Sequence, residues 1–308
     1  MPENKLNFSQ RRPFLFGLSL LAAAVVLIMG SMAAVRFFVF NDTKSFGDKF
    51  GLVHVEGFIA DSRKVNQWIA ELREDDDVKG VVIRVNSPGG AVSPAQEIYM
   101  AVKRLAEVKP VVVSMGSVAA SGGYYLSAPA NRIVASPGTL TGSIGVKMEL
   151  ANLEGLMGKL GIRHESLASG KLKNAGSPYQ PLTPEDRSYL MALVMDMYGQ
   201  FLKDVSESRG IAMDKLKTVA DGRALTGRQA LEAGLVDELG GLDEAFEALK
   251  ELSHVTKNLP VIEGPETEES LIRDLLFGLM QGVMDRLVDG YSAPLPQQQF
   301  LAPTLRME

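Results

Sequence analysis

Cysteine is absent from this chain of 308 residues, and histidine occurs only three times. Without cysteine the chain has no disulfide cross-links, no thiolate nucleophile and no cysteine ligands for zinc. His54, His164 and His254 lie far apart in the sequence, and no two of them have the helix or turn spacing of a metal site. A metalloenzyme is therefore disfavoured.

An excess of basic charge is also missing. Charged residues make up 22% of the chain, and its formal net charge is −5. The chain thus has no basic field that would attract nucleic acid through the release of counterions, which disfavours nucleic-acid binding. Its length allows one large domain or two small ones with a substantial core, as a globular enzyme requires.

The longest uncharged run covers residues 13–35. At about 1.5 Å per residue, a helix of this length reaches roughly 35 Å, and the hydrocarbon core of a membrane is about 30 Å thick. Basic residues precede the run and residues of mixed charge follow it, so the positive-inside rule places the N-terminus in the cytoplasm. We expect a cytoplasmic segment at 1–12, a transmembrane anchor at 13–35 and a linker at 36–50, with later residues outside the cytoplasm.

Two export signals compete with a retained anchor. A cleaved signal peptide has an apolar region of about 7–15 residues, shorter than this run, although the small residues at 31–34 offer a cleavage site. Arg11 and Arg12 resemble the pair in a twin-arginine signal, but Pro13 follows directly and the apolar run is long. The retained anchor is the favoured interpretation.

Short apolar runs alternate with amphipathic stretches after residue 50. The runs at 51–59, 80–86 and 111–115 are rich in β-branched residues and predict strands, whereas 65–72 and 95–107 have the periodicity of helices. This alternation predicts an α/β fold with a parallel sheet and right-handed crossovers.

The C-terminal half contains a helix start and a change of composition. Thr183-Pro-Glu-Asp186 combines a capping threonine, a proline at the first helical position and acidic residues in the first turn. The apolar stripe that follows is predicted to face the core: Leu190, Leu193, Val194, Met197 and Phe201. Residues 255–308 are expected to form a helical segment and a mobile tail, which could pack on the domain, lie on a membrane or pair with another subunit.

Three glycine-containing turns follow predicted strands, and the carboxyl ends of strands are where α/β proteins build their sites. In Asn86-Ser-Pro-Gly-Gly90 the paired glycines leave N–H groups uncovered, which can form an oxyanion hole. Ser121 precedes two glycines, which give a nucleophile close and unobstructed access. The turn at 139–145 adds hydroxyl groups. Taken singly, each pattern is also typical of an ordinary structural turn.

No histidine has a context typical of a catalytic base, so a base for Ser121 must be of another kind. A lysine can serve if it is neutral, but at an unperturbed pKa of about 10.4 only about one amine in a thousand is deprotonated near pH 7. Burial must therefore lower the lysine pKa by several units. Lys171 and Lys173 lie in a loop-like, Gly/Ser-containing context at 168–176, and spacing alone does not select between them.

Taken together, the motifs resemble those of the signal peptide peptidase A (SppA) family. Over residues 50–250 they occur in the family order: Asn86-Ser-Pro-Gly-Gly90, Ala120-Ser-Gly-Gly-Tyr-Tyr125, Thr141-Gly-Ser-Ile-Gly145, Ser169-Gly-Lys-Leu-Lys173, Asp221-Gly-Arg-Ala-Leu-Thr-Gly227 and Gly234-Leu-Val-Asp237. The resemblance implies a Clp protease/crotonase-like α/β domain at 51–254, with parallel sheets flanked by helices. It also implies a serine endopeptidase that degrades cleaved signal peptides left in the cytoplasmic membrane of a bacterium.

The resemblance further implies the roles of individual residues. Ser121 matches the family nucleophile and Lys173 the general base, which selects one of the two lysines. Ser143 matches the serine that hydrogen-bonds the lysine amine, and the N–H groups of Gly90 and Gly122 match the oxyanion donors. Such a reaction needs no metal or organic cofactor. In double-length relatives the serine and the lysine come from different repeats, so this single-length chain is expected to form a ring-like homo-oligomer with dyads between neighbouring subunits.

Two other functions share part of this pattern. A crotonase-type acyl-CoA enzyme has glycine-rich oxyanion loops on the same fold, but it normally uses carboxylates near the site and works in the cytoplasm. The apolar span and the lack of acids beside Gly90 and Gly122 disfavour it. An inactive membrane scaffold is disfavoured because every matched catalytic position is filled.

Overall fold

The structure is a computed structural model that describes residues 12–40 and 47–265. Its first helix, α1, spans Pro13–Phe40 and includes the whole predicted anchor. The stretch Phe14–Ser31 has a mean hydropathy of 2.4, and none of it is buried within the chain. By length and composition α1 is able to cross a membrane, and signal sequences share these properties. Part of the predicted linker and most of the predicted C-terminal segment lie outside the described residues.

After α1, strands and helices alternate as far as residue 135, as the sequence predicts. The strands are β1 Lys49–Glu56, β2 Val78–Ser87, β3 Val111–Ala120, β4 Arg132–Ala135, β5 Leu140–Gly142, β6 Ala224–Thr226, β7 Glu238–Leu239 and β8 Val261–Gly264. The helices are α2 Arg63–Glu74, α3 Val92–Ala106, α4 Gly122–Ser127, α5 Glu154–Lys159, α6 Pro184–Arg209, α7 Met213–Lys217, α8 Gly227–Glu232 and α9 Leu242–Ser253, together with a 3₁₀ helix at Lys171–Asn174.

The described strands form one sheet, in which β1, β2 and β3 are parallel neighbours. β3 changes its partner along its length, because residues 112–115 pair with β4 and residues 118–120 pair with β5. The end of β3 therefore lies between β2 and β5, and Ser121 follows it directly.

Apolar side chains cover both faces of the sheet, because successive residues of a strand point to opposite faces. Ile83 and Val113 belong to a large core that also contains residues of α2, α3 and α4, whereas Val82 and Val112 pack in a smaller core with α9. Strands buried on both faces are typical of an α/β protein with helices on either side. This confirms the predicted α/β class, with parallel strands flanked by helices.

Two strands differ from the sequence-based expectation. β6 pairs with β5 in the antiparallel direction, so the sheet is mixed, although most of its pairs are parallel. The segment after residue 254 supplies β8, which pairs in parallel with β1, so the sheet extends past the predicted end of the domain. Residues 266–308, where the helical pattern was predicted, lie outside the described residues.

The apolar stripe of α6 does not face the core along its whole length. Phe201 is 3% exposed and Leu193 is 40% exposed, while Leu190, Val194 and Met197 are partly buried. The prediction of a core-facing stripe is therefore wrong for the first half of the helix. Periodicity identifies an apolar face, but it does not say whether the same chain supplies a surface to cover it.

Candidate active site

Ser121 occupies the junction between β3 and the short helix α4. Its backbone angles, φ 53° and ψ −118°, lie in a region that residues other than glycine seldom adopt. Two hydrogen bonds hold it there: its N–H donates to the Gly142 carbonyl at 2.8 Å, and its carbonyl accepts from the N–H of Tyr125 at 2.8 Å. A strained serine at a strand-to-helix turn is the arrangement that exposes a nucleophilic hydroxyl in other hydrolases.

Two backbone N–H groups lie beside this serine. A Cβ built on Gly89 would lie 2.8 Å from the nitrogen of Gly122 and 2.9 Å from the Cβ of Ser121, and a Cβ built on Gly122 would lie 3.3 Å from the nitrogen of Gly90. In the part of the chain that the structure describes, neither the Gly90 nor the Gly122 N–H donates a hydrogen bond. Two free donors that lie close together beside a nucleophilic serine can stabilise the oxyanion of a tetrahedral intermediate.

The glycine loop that carries one of these donors is fixed on its outer side. The N–H of Ile59 donates to the Gly89 carbonyl at 3.0 Å, and the N–H of Ala91 donates to the Ile59 carbonyl at 2.8 Å. The Ser87 hydroxyl accepts from the Gly89 N–H at 3.1 Å and donates to the Gly57 carbonyl at 2.6 Å. None of these hydrogen bonds uses the N–H of Gly90.

Ser143 comes directly after β5, which neighbours β3 on the side away from β2. It follows Gly142, whose carbonyl accepts from the Ser121 N–H, and its own φ of 48° is again unusual for a residue with a side chain. Its N–H donates to the Arg223 carbonyl at 2.9 Å, and its hydroxyl donates to the Gly222 carbonyl at 3.3 Å. Both serines with positive φ in the described chain therefore belong to this site.

A narrow cleft with an accessible volume of only about 20 Å³ opens beside Ser121 and is lined mainly by small and apolar residues: Gly90, Val92, Ala95, Gly122, Tyr125, Gly145, Val146, Met197 and Phe201. The rings of Tyr125 and Phe201 stack with centroids 4.3 Å apart, and the Tyr125 hydroxyl donates to Asp204. Burial raises the pKa of Tyr125, and the bond to Asp204 acts in the same direction, so this hydroxyl stays neutral. An apolar side chain of a substrate suits such a cleft.

The lysines of the Gly/Ser-containing segment lie on an exposed 3₁₀ helix. Lys171 forms an ion pair with Glu185, whereas Lys173 forms neither an ion pair nor a side-chain hydrogen bond with any described residue. Nor does any side chain among residues 12–40 and 47–265 hydrogen-bond the hydroxyl of Ser121. The fold of one chain thus brings Ser121, the two amide donors and Ser143 together without a base in contact with the nucleophile.

The histidines have other partners. The Nε2 atom of His54 lies 3.1 Å from Glu263, and the ring of His164 lies 4.4 Å from the ring of Tyr179. His254 ends α9 in the left-handed conformation, with φ 55°. None of these contacts involves the nucleophile, which agrees with the sequence-based view that the histidines are structural or exposed.

Lys173 belongs to a segment, residues 147–185, in which no residue is buried; we call it the arm. The arm exposes many large apolar side chains: Met148, Leu150, Leu153, Leu156, Leu160, Ile162, Leu167 and Tyr179. Monomeric proteins rarely expose so many apolar groups within one segment, and such surfaces commonly mark protein or membrane contacts.

Sequence reasoning gave no individual role to three of the larger residues that line the cleft: Tyr125, Met197 and Phe201. Met197 and Phe201, four residues apart on α6, were assigned only to a core-facing stripe, yet both line the cleft. Tyr125 follows Ser121 by four residues, which places the two on one side of a helical turn. That spacing is a signal, but it does not reveal which helix packs across the cleft.

Two family models match the chain. The model of peptidase family S49 matches residues 103–256, and the Clp protease model matches residues 53–138. The first match covers the nucleophile, Ser143, both candidate lysines and the turn at 221–223. The second covers the strands that precede Ser121 and the loop that carries Gly90.

Several proteins are similar over most of the chain. It is 35% identical to a putative protease of Methanocaldococcus jannaschii, over 84% of this chain and 86% of that protein. It is 36% identical to a putative signal peptide peptidase SppA of Enterococcus faecium, over 66% of this chain and 63% of that protein. It is 31% identical to Protease 4 of Haemophilus influenzae, over 82% of this chain but only 43% of that protein.

Proposed function

The chain belongs to peptidase family S49 and is a serine peptidase with a Clp protease-like domain, and from this premise we propose that it is a membrane-anchored endopeptidase that degrades cleaved signal peptides. We propose further that its base is Lys173 of a neighbouring subunit. The observation that carries the proposal is a strained serine beside two free amide donors, with no base among residues 12–40 and 47–265 in contact with its hydroxyl.

The proposed reaction begins when the neutral amine of Lys173 removes the hydroxyl proton of Ser121. The resulting alkoxide attacks the peptide carbonyl, and the N–H groups of Gly90 and Gly122 hydrogen-bond the oxyanion of the tetrahedral intermediate. The protonated lysine then gives its proton to the leaving amine. Water, activated by the same lysine, hydrolyses the acyl-enzyme and frees the serine.

The arm supports a base from another subunit. Lys173 is exposed on the arm, and the arm offers apolar side chains that a second copy of the chain could cover. An interface that excludes water favours the neutral form of a lysine, which a base requires. The first half of α6, which follows the arm in the chain, adds Met191, Leu193 and Met195 to the exposed apolar surface. A ring of identical subunits would repeat the same contact at every site.

The first helix supports the proposed membrane anchor, and one relative supports the proposed class of substrate. α1 is long and apolar enough to cross a bilayer, and basic residues precede it, so it would anchor the chain with the N-terminus in the cytoplasm. The Enterococcus relative is named a signal peptide peptidase. Cleaved signal peptides are apolar and remain near the membrane, and the cleft beside Ser121 is apolar as well.

The proposal is tested with the full chain in detergent micelles and a fluorogenic apolar peptide. Ser121→Ala and Lys173→Ala should each lower kcat about 10³-fold or more, as the loss of a nucleophile or base does in other serine peptidases. Lys171→Ala is the matched control, because Lys171 lies on the same 3₁₀ helix and is also exposed. Full activity in either of the first two variants contradicts the dyad.

The substrate is tested separately, with the chain reconstituted in phospholipid vesicles. A synthetic signal peptide should be cut into short fragments faster than a polar peptide of the same length, as measured by mass spectrometry over time. Equal rates for the two peptides would contradict the assignment of the substrate, while leaving the peptidase activity in place.

A further inference from the structure

Asp221 and Arg223 form an ion pair and are separated in the chain by one residue, Gly222. The Nε atom of Arg223 donates to Asp221 Oδ1 at 2.7 Å, its Nη2 atom donates to Oδ2 at 2.6 Å, and its backbone N–H also donates to Oδ1 at 3.1 Å. Gly222, between them, has φ +90°, which favours glycine. Both side chains are about half exposed, so the pair contributes little to global stability. Its effect is on the shape of the turn.

The turn at 221–223 holds Ser143 and the residue after it. The carbonyls of Arg223 and Gly222 accept the N–H and the hydroxyl of Ser143, at 2.9 and 3.3 Å. The Gly222 N–H donates to the Ile144 carbonyl at 3.1 Å. Three hydrogen bonds between the turn and residues 143–144 thus keep Ser143 in its unusual backbone conformation.

These bonds also determine which part of the Ser143 hydroxyl remains available. Because its proton is donated to the Gly222 carbonyl, its lone pairs are left to accept a hydrogen bond. A neutral lysine amine has N–H donors and one lone pair. If an amine N–H donates to the Ser143 oxygen, the orientation of the amine is restricted and its lone pair can be directed at another hydroxyl.

The strand pair β5–β6 also connects the turn at 221–223 to the nucleophile. β6 continues from the turn and pairs with β5, in the register Gly142 opposite Ala224. The Gly142 carbonyl in turn accepts the N–H of Ser121. A change in the turn at 221–223 is therefore transmitted to Ser143 directly and to Ser121 through one further residue.

We propose that the Asp221–Arg223 pair is a positioning device that fixes the Ser143 hydroxyl as a hydrogen-bond acceptor for the amine of the catalytic base. This proposal depends on the proposed function, because it acts through the base that serves Ser121. The hydrogen bonds from Arg223 lower the pKa of Asp221 to about 2, so the pair stays charged over the whole range in which a peptidase is assayed.

The test is a double-mutant cycle on kcat, with the full chain in detergent micelles and a fluorogenic peptide. Asp221→Asn weakens the pair while keeping the size of the side chain. We expect it to lower kcat about tenfold to a hundredfold through loss of orientation, with KM nearly unchanged. In a Ser143→Ala background, the same change should lower kcat less than about twofold, because the residue through which it acts is gone.

The chain supplies a matched control. Asp61 and Arg63 form the same kind of exposed pair, with the Arg63 N–H at 2.7 Å from Asp61 Oδ1 and its Nε at 2.8 Å from Oδ2, at the start of α2. Asp61→Asn should leave kcat within about twofold of the wild type, since this pair holds no residue of the site.

Two results would overturn the inference: an unchanged kcat in Asp221→Asn, or equal losses of kcat from Asp221→Asn with and without Ser143. Failure of the proposed function gives a different result, because Ser121→Ala or Lys173→Ala would then remain active whatever the behaviour of Asp221→Asn. The two failures are therefore distinguishable in one set of proteins.

Discussion

Adding one methyl group at Gly90 should abolish most of the activity. A Cβ at this position would lie 2.2 Å from the carbonyl oxygen of Ile59, 2.5 Å from its nitrogen and 2.6 Å from its carbonyl carbon. All three are backbone atoms, and the backbone of Ile59 is held by hydrogen bonds to Gly89 and Ala91, so no flexible side chain can move aside. In Gly90→Ala the loop must therefore move away by roughly 1 Å to reach ordinary contact distances.

The magnitude follows from the geometry of an oxyanion donor. An N–H must lie about 2.7–3.1 Å from the oxyanion, so a shift of roughly 1 Å removes the bond. Loss of one such donor lowers kcat about 10²- to 10³-fold, or about 3–4 kcal/mol of transition-state stabilisation. The measurement is kcat and KM on a fluorogenic peptide, with circular dichroism to establish that the variant is folded at the assay temperature.

Gly138→Ala serves as the control for this substitution. A Cβ on Gly138 meets no atom within 4 Å, and the residue does not have positive φ. We expect it to retain the wild-type kcat and melting temperature. A folded Gly90→Ala protein with kcat within about threefold of the wild type would refute the assignment of the Gly90 N–H as an oxyanion donor.

Three further predictions concern stability, each measured by thermal unfolding. Asp237→Ala leaves the nearly buried Arg209 without its partner, and should destabilise the fold by about 3 kcal/mol. Tyr124→Phe removes a fully buried hydrogen bond to a backbone carbonyl, which should cost about 1–2 kcal/mol without lowering kcat. The hydrogen bond from Lys49 lowers the pKa of Asp75 in the folded state, so this pair stabilises the fold above the unfolded pKa of about 3.9 and is lost as pH falls through the lowered value. Lys49→Met should weaken this acid dependence of the melting temperature, and an unchanged profile would contradict the assignment.

Local features of the sequence predicted much of the fold. The capping threonine predicted at Thr183 is present, with the Asp186 N–H donating to its hydroxyl at 3.1 Å, because a helix start depends on a few adjacent residues. The first predicted strand, 51–59, corresponds to β1 at Lys49–Glu56, because buried parallel strands have a characteristic composition.

Local sequence patterns did not predict the contacts between segments that are distant in the chain. The turn at 221–223 meets Ser143 across about 80 residues of sequence, and no local signal links the two. The stripe of α6 shows a second limit, since no described part of the chain covers Leu193 in the first half of that helix. The choice between Lys171 and Lys173 shows a third, because both lie on one exposed turn and only resemblance to a family separates them.

The central claim is that each site combines the serine of one subunit with the lysine of the next. It is tested most directly by mixing two inactive proteins, Ser121→Ala and Lys173→Ala, during reassembly and measuring the peptidase activity of the mixed particles. If subunits mix at random in a ring, about one site in four receives an intact serine and an intact lysine, so about a quarter of the wild-type activity should return. No activity above that of the two parents, in particles shown by affinity tags to contain both proteins, would contradict the claim.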